Sequence, residues 1–279
     1  MSISLFHNVS KACSRLTTET YSTSFASAIR LLHADLREPV YNIYGFVRFA
    51  DEIVDTFHDF DKARLLERFK QQTFEAIEEG ISLNPILNSF QRTVHTYNIE
   101  HRLIHAFFKS MEMDLFRHRY NDEEYREYIY GSAEVVGLMC LQVFREKDDQ
   151  AYARLEPAAR SLGAAFQKVN FLRDANADHE ILSRTYFPGI DFRNFDPEMK
   201  KNIERDIEND FKHAFTGISA LPWKARFGVY VAYKYYLSLF KKIRTIQPSV
   251  ILQQRVRIPN YQKVMILARA GVKNRLNLI

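Results

Sequence analysis

Cysteine is nearly missing from this chain. Cys13 and Cys140 are the only two in 279 residues, and neither belongs to a C-x-x-C pair. A disulfide framework is therefore not expected, and a reducing cytoplasm is the expected compartment. No apolar run reaches 18 residues; the best candidate, Val135 to Phe144, is about half the length needed to span a bilayer. Met1 to Cys13 has no apolar run behind a basic start, so no secretory signal is expected. Phosphate-loop and dinucleotide glycine motifs are missing too, which argues against nucleotide hydrolysis and a built-in NAD site. The nine histidines form no H-E-x-x-H or Cys/His cluster. His95, His101 and His105 are expected at the surface or core edge, and Cys140 as a buried packing residue.

What the chain does contain is an ordinary globular balance, 46% hydrophobic and 26% charged, with a marked excess of rings: 22 Phe and 15 Tyr against one Trp. So many rings in a helical protein suit the walls of a deep apolar cavity. The net charge of +5 is modest, basic residues are spread along the chain, and no nucleic-acid motif is present, so no nucleic-acid partner is expected. An anionic ligand or an anionic membrane surface fits the charge equally well.

The periodicity is helical nearly throughout. Leu103, Phe107, Met111 and Leu115 recur every fourth position, and no well-supported alternating strand appears. Gly and Pro are scarce, 9 and 8, and Pro39, Pro85, Pro157, Pro197, Pro222 and Pro259 stand where helices would begin. The reading is all-α and a single domain over 1–279. Helices are expected near 3–17, 20–36, 40–57, 61–79, 84–98, 100–119, 122–146, 157–179, 197–219 and 222–246, with weaker ones at 248–255 and 259–276. The longest irregular stretch, Ser183 to Asp196, is placed to fold over whatever precedes it.

The chemistry sits in two carboxylate pairs of identical spacing, Asp51-x-x-x-Asp55 and Asp174-x-x-x-Asp178. Tyr44, Arg48, Asp51 and Asp55 fall at i, i+4, i+7 and i+11, one helical stripe; Gln167, Asn170, Asp174 and Asp178 repeat the design, with Arg173 beside them. One such helix alone is equally a solvated face with an Arg–Asp ion pair. Two facing one another would gather four carboxylates around one volume. Hard divalent cations take oxygen ligands, keep several waters and often share substrate phosphates, so the pattern points to a metal-borne diphosphate. Heterolysis of an allylic carbon–oxygen bond there would need dry, apolar walls. Ring faces attract cations, which makes Tyr128 and Tyr130 candidates.

The chain resembles the squalene/phytoene synthase family, the head-to-head prenyl-diphosphate synthases of the isoprenoid-synthase helical fold. The matching pieces are Tyr21-Ser-Thr-Ser24-Phe25, Tyr44-x-x-x-Arg48-x-x-Asp51-x-x-x-Asp55, Tyr128-x-Tyr130-Gly131, Gln167-x-x-Asn170-x-x-Arg173-Asp174-x-x-x-Asp178 and Arg184-x-Tyr186-Phe-Pro188. The resemblance implies a helical bundle around a central apolar cavity. It implies that Asp51, Asp55, Asp174 and Asp178, assisted by Asn170, coordinate Mg²⁺ (Mn²⁺ as an alternative) bridged to diphosphate. Arg48, Arg173 and Tyr44 would contact phosphate oxygens, with Ser22, Ser24 and Phe25 beside them. Tyr128, Gln167, Arg184 and Tyr186 match family active-site positions, and Tyr236 and Arg255 align more loosely as pocket and phosphate residues. Two departures stand out: Ala177, where an acidic residue is common, and Glu134, where many relatives carry glycine. Burying an unpaired carboxylate is costly, so Glu134 is expected to be paired or outward-facing.

The implied activity is the joining of two prenyl diphosphates, with bacterial phytoene synthases acting on geranylgeranyl diphosphate the favoured likeness and no NADPH expected. The alternatives are dehydrosqualene or squalene formation from two farnesyl diphosphates, and a non-catalytic membrane-side assembly factor of the same fold. A monomer or weak oligomer is expected, touching the inner face of the membrane peripherally.

Overall fold

The structure, a computed structural model, describes residues 2–146, 148–180, 184–190, 195–253 and 255–276, the side chains of 176–180 excepted. In chain order its helices are α1 (Ile3–Tyr21), α2 (Thr23–Ile29), α3 (Ala34–Asp55), α4 (Lys62–Glu79), α5 (Pro85–Tyr97), α6 (His101–Phe116) and α7 (Asp122–Ile129). A π-helical turn, Tyr130–Glu134, joins α7 to α8 (Val135–Phe144). Then follow α9 (Asp149–Glu180), α10 (Pro197–Ile218), α11 (Trp223–Arg244), α12 (Pro248–Ile251) and α13 (Asn260–Arg275). Among the described residues there is no strand, only an isolated parallel bridge between Arg119 and Thr185. No helix among them is long and apolar enough to cross a membrane.

Local chemistry explains several of the ends. The Asp61 carboxylate accepts from the Arg64 amide at the start of α4, and Asn84 accepts from Ile86 and Leu87 ahead of Pro85. Asn121 and Glu124 form a reciprocal capping box on α7. Gly80 closes α4 in the left-handed region at φ 71°, where glycine carries no steric cost.

Three expectations change. The helix expected over 20–36 is broken at Ser22, whose backbone is extended and whose hydroxyl accepts from the Phe25 amide, starting a new helix. Pro157 does not begin a helix but lies inside α9, and Pro39 lies inside α3. Each removes one i→i−4 hydrogen bond, yet the neighbouring burial of Leu155 and Ala158, and of Leu36 and Val40, holds the helices on their partners. The expected helix over 122–146 is one rod interrupted by the π turn, a feature that inserts an extra residue and re-aims the side chains after it.

Two apolar clusters flank the centre. In one, Phe46 stacks on Phe90 with ring centroids 3.9 Å apart, and Phe107 and Phe108 close around them. In the other, Phe211 meets Phe240 and Tyr233 between α10 and α11. Burial of each such ring contributes roughly 1.5–3 kcal/mol. α1 departs from this rule. It buries Ser10, Ser14 and Thr18 while Ile3, Leu5, Val9 and Leu16 face solvent. Two of these hydroxyls are satisfied across the interface, Ser14 to Ser89 at 2.6 Å and the Asn88 amide to Ser10 at 2.9 Å, and Thr18 donates to the Ser14 carbonyl at 2.9 Å, so small polar residues let α1 and α5 approach closely.

The π turn is held at close quarters from two sides. A Cβ on Gly131 would sit 2.1 Å from the Ser110 hydroxyl and 2.2 Å from the Ala106 carbonyl oxygen. A Cβ on Gly163 would meet the Ala133 carbonyl at 2.6 Å. Replacing Gly131 by alanine is therefore expected to cost about 1–3 kcal/mol through forced backbone shifts, measured as a lowered urea midpoint; an unchanged midpoint contradicts this account of the turn.

Candidate active site

Between the two clusters lies a cavity of about 490 Å³ bounded by α2, α3, α6, α8, α9, α10 and α11. On α9 its wall runs from Asp174 to Leu155, about 28 Å at 1.5 Å per residue. Its far end is apolar, with Leu32, Phe144, Leu155 and Leu221; its near end holds Asp51, Asp55, Asp174 and Arg255. The two stripes expected from spacing thus face one volume. Asp178 belongs to α9, and its side chain lies outside the described residues.

Near the mouth, acids are answered by arginines. Arg255 Nε lies 2.7 Å from Asp174 Oδ1, and the neighbouring Arg173 Nε donates to the same carboxylate at 3.0 Å. Arg184 Nη1 donates to Asp55 Oδ1 at 2.9 Å. Arg48 pairs with Glu52 and lays its guanidinium over the Tyr21 ring at 4.4 Å. Asp51 has no such ion pair among the described residues. Burial, then the Asp55 charge, push its carboxyl up to about 8 despite Arg48, with Asp114 adding a little more. Burial and the Asp51 charge raise the Tyr44 hydroxyl to about 12, so it stays a neutral donor.

Deeper in, rings and amides form the wall. Phe166 stacks on Tyr236 at 3.9 Å, Phe25 lies 5.7 Å from Tyr236 and 5.8 Å from Tyr44, and the Tyr236 hydroxyl donates to Asn170 Oδ1 at 3.3 Å. The Gln167 amide donates to Ser132 at 3.3 Å.

The residue that spacing did not reveal is Asp114. It is 6% exposed, and its carboxylate accepts from Tyr128 at 2.6 Å, Tyr120 at 3.2 Å and Tyr186 at 3.3 Å. Arg184 lies 3.6 Å from the same carboxylate and donates to the Asp114 carbonyl at 2.8 Å. A lone acid between Met113 and Leu115 on an apolar helix face was the only available signal.

Other expected residues take different places. Ser22 and Phe25 line the cavity; Ser24 does not, because the helical turn rotates it away from that face. Arg184 stands behind the lining, buried, and ties the segment after α9 to α3 and α6. Tyr130 turns its ring to Arg160 at 5.2 Å instead of toward the cavity. Glu134 is paired, accepting from Arg160 Nε at 2.6 Å. Cys140 packs against the core cluster, as expected, and also lines the cavity, its thiol raised to about 12 by burial and so not a nucleophile. Asp206 and Asp210 on α10 clamp Lys168 of α9 at 2.5 and 2.8 Å.

The donors at the mouth are carboxylate and amide oxygens, which suit Mg²⁺ or Mn²⁺ and not a soft metal. The unpaired, mutually repelling Asp51 is the place where a cation would relieve strain. Among the described residues no three His, Cys, Asp or Glu side chains are grouped so that they could hold a metal ion.

The family model described as Squalene/phytoene synthase matches residues 18–262. The chain belongs to the squalene/phytoene synthase family. It is 27% identical to the phytoene synthase of Arthrospira platensis over 95% of this chain and 93% of the relative, and 26% identical to the 15-cis-phytoene synthase of Enterobacter agglomerans over 91% and 92%. Its fold matches a dehydrosqualene synthase structure with a TM-score of 0.80 at 19% identity, covering 96% of this chain and 98% of that one. It also matches squalene synthase HpnC of Alicyclobacillus acidocaldarius with a TM-score of 0.75 at 20% identity, covering 88% and 96%.

In this member of the family, burial pushes the Asp114 carboxyl up to about 6, Arg184 opposing and Asp55 adding to the shift. Between pH of about 4 and 6 the folded chain holds a proton that the unfolded chain has released, so that contribution to stability falls as pH rises through this window. Relative to Asp114→Asn, the wild type is expected to lose about 3 kcal/mol from pH 4 to 6, read from urea unfolding at each pH. Parallel pH profiles for the two proteins are the contrary result.

Proposed function

We propose that this chain condenses two molecules of geranylgeranyl diphosphate head to head into phytoene. What supports this most is one apolar cavity closed at a single end by acids and arginines, an arrangement that separates a charged leaving group from long hydrocarbon tails. The C20 substrate and the phytoene product rest on the likeness to relatives named phytoene synthase.

Arg48, Arg173 and Arg255 hold the diphosphate oxygens, and the neutral Tyr44 hydroxyl donates to them. Ser22 lies at the same mouth. Mg²⁺, when bound with the substrates by Asp51, Asp55, Asn170, Asp174 and Asp178, supplies charge that stabilises the departing diphosphate. The C1–O bond of the first substrate breaks with its electron pair leaving on oxygen. The double bond of the second attacks the allylic carbon, and loss of a proton closes a cyclopropylcarbinyl diphosphate. A second C–O heterolysis, rearrangement and proton loss give the hydrocarbon, with no reductant consumed. Phe25, Phe166 and Tyr236 wall the cations from water, and their ring faces stabilise positive charge. Tyr128, hydrogen-bonded to Asp114, and Tyr186 border the acid end, and Gln167 fixes the wall at Ser132.

Purified protein given Mg²⁺ and labelled geranylgeranyl diphosphate is expected to release a C40 hydrocarbon. Chelation should stop it, and Asp51→Ala or Asp174→Ala should lower the rate by about 10²–10³-fold, the scale of losing preorganised charge. A C30 product from farnesyl diphosphate alone replaces the substrate named here. Metal-independent binding without turnover sinks the enzymatic reading in favour of a scaffold.

A further inference from the structure

Lysine and arginine are distributed along the whole chain, but the acids are not. Residues 211–279 contain 13 Lys and Arg and no Asp or Glu, a formal +13 against −8 for residues 1–210. An asymmetry this steep between two parts of one chain signals a polyanionic partner for the basic part. The basic part of the described structure ends in α13, and α13 has two faces. Ile266, Leu267 and Ala270 turn inward and join the core beside α11. On the opposite side Tyr261, Val264, Met265, Val272 and Leu276 face solvent, with exposures of 62, 65, 45, 59 and 62%. At 100° per residue these five positions fall within about 120° of arc, one continuous apolar stripe.

Cations surround that stripe. Arg269 and Lys273 flank it and Arg275 lies within it, and among the described residues no carboxylate pairs with any of the three. A helix with an apolar stripe, unpaired cations at its margin and an aromatic residue at one end has the makeup of an element that lies in the plane of a lipid interface. The absence of any helix able to span a bilayer among the described residues leaves surface contact as the mode.

We propose that α13 docks this protein on an anionic lipid bilayer, with Tyr261, Val264, Met265 and Val272 entering the headgroup boundary and Arg269, Lys273 and Arg275 meeting lipid phosphates. A protein partner would need a complementary acidic, apolar groove; a bilayer supplies both features over the whole length of the stripe. The location is also consequential. Arg255, just before α13, pairs with Asp174 at the cavity mouth, and Lys263 in its first turn donates to Thr23 at 3.3 Å, next to the cavity-lining Ser22. Docking through α13 therefore sets the mouth close to the lipid surface, where molecules with long apolar tails reside. The surface is assigned independently of the condensation chemistry, and its test uses no turnover.

The test is co-sedimentation of the full chain with vesicles of phosphatidylcholine alone and of phosphatidylcholine mixed with phosphatidylglycerol. Binding is expected only to the mixed vesicles and is expected to vanish near ~1 M NaCl, where the screening length falls to about 3 Å. Triple substitution of Arg269, Lys273 and Arg275 by alanine should lower partitioning about 100-fold, from about 1 kcal/mol per basic residue. Val264→Asp with Val272→Asp should abolish it. Both variants are exposed-face changes and are expected to keep the far-ultraviolet circular dichroism and melting temperature of the parent, so a loss of binding is read on folded protein. Equal binding of parent and variants overturns the proposal. So does equal binding to neutral vesicles, or a lipid-indifferent dimer that the α13 variants dissociate.

Discussion

Carboxylates collected at one end of an apolar cavity repel one another and lose their hydration, and the arrangement of this protein follows from how that cost is met. Asp174 is held between Arg173 and Arg255, Asp55 by Arg184, and Asp114 by three tyrosine hydroxyls with Arg184 behind them. Removing one member of such a set leaves a buried charge without its partner, which costs more than the pair ever contributes. Asp51 is the exception, raised in pKa by its surroundings and without an ion pair among the described residues. The charge balance is thus incomplete at the point where a cation with a diphosphate would complete it.

The same constraint explains the irregularities of the backbone. The break at Ser22 turns Phe25 into the cavity and leaves the Ser22 hydroxyl at the mouth. The π turn between α7 and α8 leaves Tyr128, before it, on Asp114 while Ser132 and Ala133 within it and Val136 beyond it face the cavity, and Gly131 and Gly163 allow α6 and α9 to press against it. Regular helices in these two places would not present residues on both sides of the interruption to one volume.

How much of this could be read without coordinates depended on local period. The stripes on α3 and α9 were legible because helical spacing places i, i+3 or i+4, i+7 and i+11 on one face whatever the helix meets. The loop segment Arg184-x-Tyr186 was legible as part of the site, but not the duty of Arg184, which reaches Asp55 across 129 positions. Asp114 was illegible because an acid between Met113 and Leu115 belongs to no paired motif; its three tyrosines come from three separate segments. The buried face of α1 was not legible either, since burial of Ser10, Ser14 and Thr18 at i, i+4 and i+8 inverts the usual rule, and the two serines rest on partners in α5. Ser24 was matched by its neighbourhood in the motif, and one helical rotation removes it from the cavity.

Composition and spacing, being local and additive, were sufficient for an all-helical chain and for two acid-bearing helices. Which arginine answers which acid, where α9 truly begins, how the π turn aims Ser132 and Val136 and which side of α13 is left to solvent were settled by packing. Those outcomes turn on distances between segments far apart in the chain, and such distances exist only once the helices have assembled around their common cavity.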